Sequence, residues 1–450
     1  MFQLFLSRSL FESILMWTNI ELTKKGKPRI SQDKLMAYIG LELAMSLVQM
    51  GSIAHYWSQA RFEGHHDFHE TMSQTDFQTI RASIQFHSSL AYDAEIATKD
   101  PLYHSRCFLN HFQLNCSSIA VPMGASALDE ASCRTSARTR AKSYMPNKPI
   151  RYGIRFYANV SVREIYCHSI VDNGSGNKLP LSPADRYIDV FRDLRTPFDR
   201  AFADDPTGKN GGVKKDSPSA LWSLQLAHQT KKQPDPSGKW SVFMDNFYTR
   251  HNLGEKVKQL TNGEIHIMGT CRLNVIQSKN KIGVKKAIDM LKNQERGTWA
   301  LVRAFNSQTE DDDVAPNCGY IVFKDRKDVI FYTNDLAGTP KELVVIGNTD
   351  DHAIHCVNGL AKLHRWTDDS MLHRRVFMAP ATIVAYNLFM NAVDRMDQRR
   401  QPLACQRREK RVNMSVFTMI MDIACSNAYA LCCTLSSKYK ETVTFREFKR

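Results

Sequence analysis

Helical periodicity at both ends of the chain and strand periodicity in its middle predict an α/β fold, with a mixed sheet at the centre and α-helical segments before and after it. Three observations carry this. From Met1 to about His111 apolar residues recur at i, i+3 and i+4, as in "LMAYIGLELAMSLVQMG" and "DFQTIRASIQFH". From about Ala127 to Thr270 the period shortens to two, the signature of half-buried strands. At Ala381 the helical period returns and dominates to the end of the chain.

Taken in order, residues 1–125 read as mostly α. They start with the amphipathic "MFQLFLSRSLFESILMW", which Ser7, Arg8, Ser9 and Glu12 interrupt, so it lacks the basic start and continuous apolar core of a signal peptide. Residues 126–270 hold two alternating strands, "IRYGIRFYANVSV" and "EIYCHSIVDNG", then the strand "WSVFMD", a helix through "NLGEKVKQL" and the strand "EIHIMG". Strands followed by strand, helix and strand suggest a mixed sheet. Between them "DDPTGKNGGVKKDSPS" reads as a surface loop or insertion. Residues 271–379 are β-rich: "TWALVRAF" is a strand, and "YIVFKDRKDVIFYTND" is a hairpin turning at Asp325 to Lys327. The acidic run Glu310 to Asp313 before it is a solvated turn. In residues 380–397, Ile383, Tyr386, Phe389, Met390, Val393 and Met396 form the buried stripe of one amphipathic helix. Residues 398–450 end in the apolar helix "VFTMIMDIACSNAYALCCTL".

At 450 residues the length suggests roughly three structural units, and 43% hydrophobic residues suffice for sizeable cores. Lysine and arginine number 60 against 46 acids, a formal charge of +14. That excess favours a polyanionic partner, nucleic acid or a membrane surface. The 11 cysteines include no C-x-x-C pair, which points to reduced thiols in an intracellular compartment and away from structural zinc. No run of 18 or more apolar residues occurs, so a membrane span is not expected. His65, His66 and His69 in "GHHDFHE" have no accompanying cysteine cluster and read as solvated or interface histidines. Asp422, within the last apolar helix, reads as paired with a neighbour.

Two carboxylates follow apolar β runs: Asp129 in "SALDE" and Asp245 in "SVFMDNFYT". Both are placed to project from strand ends into one mouth. Asp394 and Asp397, one turn apart, lie at the edge of the late amphipathic helix, where a solvated acidic edge is the plain alternative. Separated acids of this kind suit Mg²⁺, a hard cation that keeps waters and bridges phosphate oxygens. Two such ions about 4 Å apart serve in-line attack on a phosphodiester.

Four blocks in order, "YMPNKPIRYGIRFY", "MDNFYT", "GTCRLN" and "YNLFMNAVDRMDQ", resemble the PiggyBac family of transposases and their element-derived relatives. The resemblance extends to "YWS", "MSQTDFQTIRASIQFH" and "DIACSNAY", nearly the whole chain. It implies a ribonuclease-H-like catalytic core at 126–270, interrupted by a β-rich insertion domain at 271–379 before the last catalytic helix at 380–397. The helical segments 1–125 and 398–450 would together form a dimerisation and DNA-binding domain. It also implies a catalytic set of Asp129, Asp245 and Asp394 holding two Mg²⁺ ions, with Asp397 as an additional metal-side carboxylate. The implied activity is cut-and-paste transposition at TTAA targets by a nuclear homodimer. Its partner would be double-stranded DNA, both transposon ends and target, with no membrane and no small-molecule substrate.

Basic residues support this separately. No acid occurs between Ala131 and Arg163, whereas Arg134, Arg138, Arg140, Lys142, Lys148 and Arg151 do, with Tyr144, Tyr152, Phe156 and Tyr157 interleaved to stack on bases. A second cluster, Arg399, Arg400, Arg407 and Arg408, follows the last acid, and "QRREKR" there also reads as a nuclear address. The chain departs from the family at Asn391-Ala392, where glycines are expected, at Arg250 in place of serine, and at Val412-Asn413 in place of tryptophan-proline. It shows no Cys/His-rich zinc module by Arg450, which leaves two further readings: a domesticated or decaying DNA-binding protein, and a nuclease that does not transpose.

Overall fold

The strand-forming runs pair into one large sheet. The computed structural model describes residues 1–122, 124–146, 151–173, 181–203, 217–230, 240–306, 313–367, 373–405 and 409–450. In chain order the strands are β1 (Ala125–Arg134), β2 (Lys142–Tyr144), β3 (Tyr152–Ser161), β4 (Cys167–Asp172), β5 (Trp240–Met244), β6 (Ile265–Thr270), β7 (Trp299–Phe305), β8 (Val314–Lys324), β9 (Asp328–Thr333), β10 (Val344–Ile346), β11 (Leu360–Trp366) and β12 (Arg374–Pro380). Ten of them form a sheet ordered β10-β7-β8-β9-β6-β5-β1-β3-β2, with β4 also on β3. β1 runs antiparallel to β3 but parallel to β5, and β5 parallel to β6.

The β-rich segment after residue 270 is hydrogen-bonded to what precedes it. Met268, Gly269 and Thr270 of β6 pair with Thr333, Tyr332 and Phe331 of β9, so β7 to β10 extend the same sheet. β11 and β12 form a separate two-stranded ribbon.

Two cores flank the sheet. On one face Ala127, Ala131 and Cys133 of β1 join the N-terminal helices (Phe11, Leu35, Phe77, Phe112) and the late helices (Val393, Met396, Phe417) in a single apolar cluster. On the other, Leu128, Tyr157 and Met244 pack with helices Pro218–Thr230, His251–Leu260 and Ser278–Leu291. Strand alternation sends neighbouring β1 residues to opposite cores. A smaller third core joins Trp299, Phe331, Leu363, Ala379, Ile383 and Tyr386.

Helix Val412–Leu435 is long and apolar enough to cross a membrane, but 78% of its most apolar window is buried inside the fold. Burial on nearly all sides is what an apolar helix needs at a protein centre. Asp422 within it binds Lys449 at 3.0 Å and accepts the Cys405 amide at 3.0 Å, the pairing expected of it.

One element differs from the periodicity. The stripe from Ile383 to Met396 spans two helices, Ala381–Phe389 and Ala392–Arg400, with Met390 and Asn391 turning the chain between them. Ile383 and Tyr386 belong to the third core, and Val393 and Met396 to the first. A single straight helix cannot face both.

Candidate active site and nucleic-acid interface

Asp129 lies in the middle of β1, not at its end. Its neighbour β5 stops sooner: Ala127 pairs with Phe243 and Leu128 with Met244, so the same parallel register carries Asp129 to the level of Asp245, the first residue past β5. Both are half-buried. Asp129 has the parity of Ala127 and Ala131, which face the core that also contains Ala392, Val393 and Met396 of the Asp394 helix. That helix packs on β1 and β3.

Local structure around Asp245 is tightly defined. Its Oδ1 accepts the Phe247 amide at 2.7 Å, and its carbonyl accepts from the amides of Tyr248 and Thr249. Such an Asx turn reverses the strand at once. Gly269 of β6, the first residue of "GTCRLN", makes this possible: a Cβ there would fall 2.1 Å from the Met244 carbonyl oxygen and 2.1 Å from the Thr249 Oγ1. The motif glycine is therefore a packing requirement of the Asp245 turn.

Two tyrosines register the carboxylates electrically. Burial raises the pKa of Tyr248, and the negative charge of Asp129, then Glu130 and Asp245, adds to it. Tyr386, on the helix preceding that of Asp394, is raised by burial and again by Asp245 and Asp129, against the opposing hydrogen bond to Thr270. Both acids are thus felt by tyrosines in two different cores, Tyr248 in the second and Tyr386 in the third. Glu130, of opposite parity, is paired with Arg155 at 3.1 Å.

Asp394 occupies the first turn of its helix and is exposed. Among the described residues no group of three or more His, Cys, Asp or Glu side chains is gathered closely enough to hold a metal ion. The donor chemistry nevertheless suits a hard cation at Asp129 and Asp245, two carboxylates side by side on one face of the sheet. Asp397 is otherwise engaged: Arg400 reaches its Oδ1 through Nε at 2.8 Å and Nη2 at 2.7 Å.

The basic residues divide by position. Arg134, Arg138, Arg140 and Arg151 are exposed, and Lys142 is half-buried with its Nζ on the Ala137 carbonyl. Tyr144 and Tyr152, cross-strand partners on β2 and β3, are 55% and 57% exposed with ring centroids 5.1 Å apart. Phe156 and Tyr157 are fully buried because both faces of β3 are covered, so they cannot stack on bases. Arg399 is half-buried with its guanidinium over the Tyr429 ring, and Arg400 is 2% exposed, which removes it from any surface a phosphate reaches. Lys148, Arg407 and Arg408 lie outside the described residues.

Two cations lie beside Asp245: Arg250, noted in the sequence only as a replacement for serine, and Arg272, which the sequence reading did not single out. Arg250 donates to the Phe247 carbonyl at 2.9 Å, and Arg272 donates to Asn246 at 2.9 Å. Burial lowers the Arg250 pKa, and the charge of Arg272 lowers it further. Arg272 stands inside the block "GTCRLN", which was the available signal.

Among curated proteins no sequence match is significant. Among solved structures, a piggyBac transposase in a synaptic complex with hairpin DNA superposes with a TM-score of 0.68 at 16% identity, over 100% of this chain and 77% of that one. The family profile described as Transposase IS4 matches residues 1–192 and 205–429. With its mixed α/β architecture shared with a piggyBac transposase and the profile matched over most of its length, the chain belongs to the Transposase IS4 family.

Proposed function

We propose that this protein is a cut-and-paste DNA transposase whose carboxylate face is Asp129, Asp245 and Asp394. The observation that carries the proposal is the register of β1 and β5, which sets Asp129 beside Asp245 on the face covered by the Asp394 helix. The strand order β4-β3-β1-β5-β6, with β3 alone antiparallel to both of its neighbours β1 and β4, supports a ribonuclease-H-like core. The structure similar to this one is a complex with DNA, which supports DNA as the partner here.

Asp129 and Asp245 would hold Mg²⁺, with Asp394 as the third ligand from the helix. When bound, the ions supply Lewis acidity to a phosphodiester and an activated water or 3′ hydroxyl. The chain's own contribution is positional. The Asx turn and Gly269 fix Asp245 against β1, while Arg250 and Arg272 place positive charge where a scissile phosphate would lie. Exposed Arg134, Arg138, Arg140 and Arg151 track the backbone, and Tyr144 with Tyr152 offer flat faces to bases. TTAA targeting, a homodimeric assembly and a nuclear location belong to the same proposal.

The test is Mg²⁺-dependent nicking and strand transfer on duplex DNA by wild type and Asp245→Ala. Loss of at least about a hundredfold in the variant supports the assignment. Equal activity in both would end it. One observation favours a second reading, DNA binding without cleavage: the acids are not gathered into a cluster ready for a metal. Salt-sensitive DNA binding by wild type with no cleavage in Mg²⁺ or Mn²⁺ would select that reading.

A further inference from the structure

The β11–β12 ribbon presents an outer face that no part of the described chain covers. Its strands pair Lys362 with Met378, His364 with Val376 and Trp366 with Arg374, and all six of these side chains are exposed. The other face holds Leu363 and Ala379 in the third core, and Phe377, on that face by strand parity, is also buried. Trp366, Val376 and Met378 are 51%, 46% and 51% exposed, a large apolar area for a protein surface.

The ribbon is held rigidly from beneath. Arg296 donates to the Trp366 carbonyl at 3.0 Å and Arg326 to the Thr367 carbonyl at 3.3 Å. Arg296 and Arg365 both close on Asp325, at 2.6 and 3.0 Å, so the charge of this acid beside the ribbon is neutralised. Gly297, at φ +100°, lets the ribbon approach: a Cβ there would lie 2.4 Å from the Phe377 ring. Neither strand contains an acidic residue, and Arg374 stacks over Trp366 at 5.1 Å. Asp368 and Asp369 belong to the connecting residues, outside those described.

We infer that this ribbon is a second DNA-docking surface, separate from the carboxylate face, laid into a groove of duplex DNA. A two-stranded β-ribbon is an element that the major groove admits, being about 12 Å wide. Lys362 and Arg374 meet phosphates, while Trp366, Val376 and Met378 meet sugars and thymine methyls. The charge decides the occupant: an apolar face meant for a second copy of this chain would confront its own cations across the dyad, whereas DNA is complementary to all of them. The inference rests on the DNA reading above.

The test uses the full chain and a fluorescein-labelled duplex about four helical turns long, with affinity measured by anisotropy over a salt series. Lys362→Ala with Arg374→Ala is expected to lower the slope of log affinity against log salt by about two. Trp366→Ser with Met378→Ser is expected to weaken binding about tenfold with little change in slope. Because these side chains are exposed, the thermal midpoint should stay put in both variants. Unchanged affinity and slope in both, with strong binding by wild type, would overturn the ribbon and leave the DNA reading intact. Failure of the wild type to bind DNA would overturn both. If the Trp366 and Met378 changes instead abolish self-association in light scattering and leave DNA binding untouched, the face serves a second copy and the inference is wrong.

Discussion

Arg400 is buried against Asp397 one turn back on the same helix, with two guanidinium nitrogens on one carboxylate oxygen at 2.8 and 2.7 Å. The pair locks the helix end against β1, where the charge also sits near Cys133 and Asp422. Asp397 is thereby engaged within its own helix, and we propose that it positions the Asp394 helix. Arg400→Leu is expected to cost about 3 kcal/mol, since it orphans a largely buried carboxylate. Asp394→Ala, at an exposed site, should change stability by about 0.5 kcal/mol or less. Urea denaturation of the two variants checks this, and equal losses would contradict it.

The same division applies to cation binding. Mn²⁺ titration followed by water-proton relaxation reads the ligands directly, without turnover. Asp129→Asn and Asp245→Asn should weaken binding by about 10- to 100-fold, and Asp397→Asn by much less. A loss at Asp397 as large as that at Asp245 would return it to the ligand set.

Gly269 carries no chemical group, yet its replacement should reach the chemistry. Gly269→Ala forces a methyl to within 2.1 Å of the Met244 carbonyl and the Thr249 hydroxyl. About 2 kcal/mol of stability should be lost by overpacking. Displacement of Asp245 by a fraction of an ångström to an ångström is expected to lower DNA cleavage by up to about a hundredfold. Cleavage kinetics on the folded variant test it, and full activity would show that the turn has slack.

Glu42, with no exposure, accepts from Tyr38 at 2.8 Å and Arg81 at 3.0 Å, and Arg81 reaches Glu409 at 2.8 Å. This network ties the N-terminal helices to the segment that follows the Asp394 helix. Arg81→Leu is expected to destabilise by about 3 to 5 kcal/mol, and adding Glu42→Leu to recover much of it, because the stranded charge is then gone. Equilibrium unfolding of the single and double variants gives the answer.

His168 on β4 is buried, with Nδ1 donating to the Ala120 carbonyl at 3.2 Å. Burial holds its pKa down at about 3, against a smaller opposing effect of that hydrogen bond. An unfolded histidine titrates near 6.5, so between about pH 6.5 and 3 the unfolded chain binds the extra proton and stability falls as pH falls. The slope is up to about 1.4 kcal/mol per pH unit. His168→Asn, which keeps a donor, should flatten that slope by the same amount, as read from urea midpoints between about pH 7.5 and 5.

Much of this architecture was legible residue by residue. The strands at 152–161, 240–244 and 265–270 and the helices at 251–260 and 412–435 follow from local periodicity, which depends on near neighbours alone. Pairing between β6 and β9 was not legible, because register between distant strands leaves no local pattern. The same holds for Arg400: its charge predicts exposure, and only the fold supplies the buried Asp397 that overrides it. The split of the late helix at Asn391 escaped for a related reason, since a continuous stripe does not say that its two halves face different cores. Of the interleaved aromatics, Tyr144 and Tyr152 are presented only because they close the free end of a hairpin. The proximity of Asp129 to Asp245 needed the parallel register, whereas both positions stood out beforehand as acids amid apolar β runs.

The hydrogen bonds between β6 and β9 have a consequence for how the protein is born. A nascent chain that has delivered Asp129 and Asp245 still lacks the four strands that complete its sheet, and the Asp394 helix emerges only after them. Pairings of such sequence separation form late and slowly. Prematurely terminated or partly degraded products would therefore carry some of the acids but never the assembled face, so that a broken copy of the protein is an inert one.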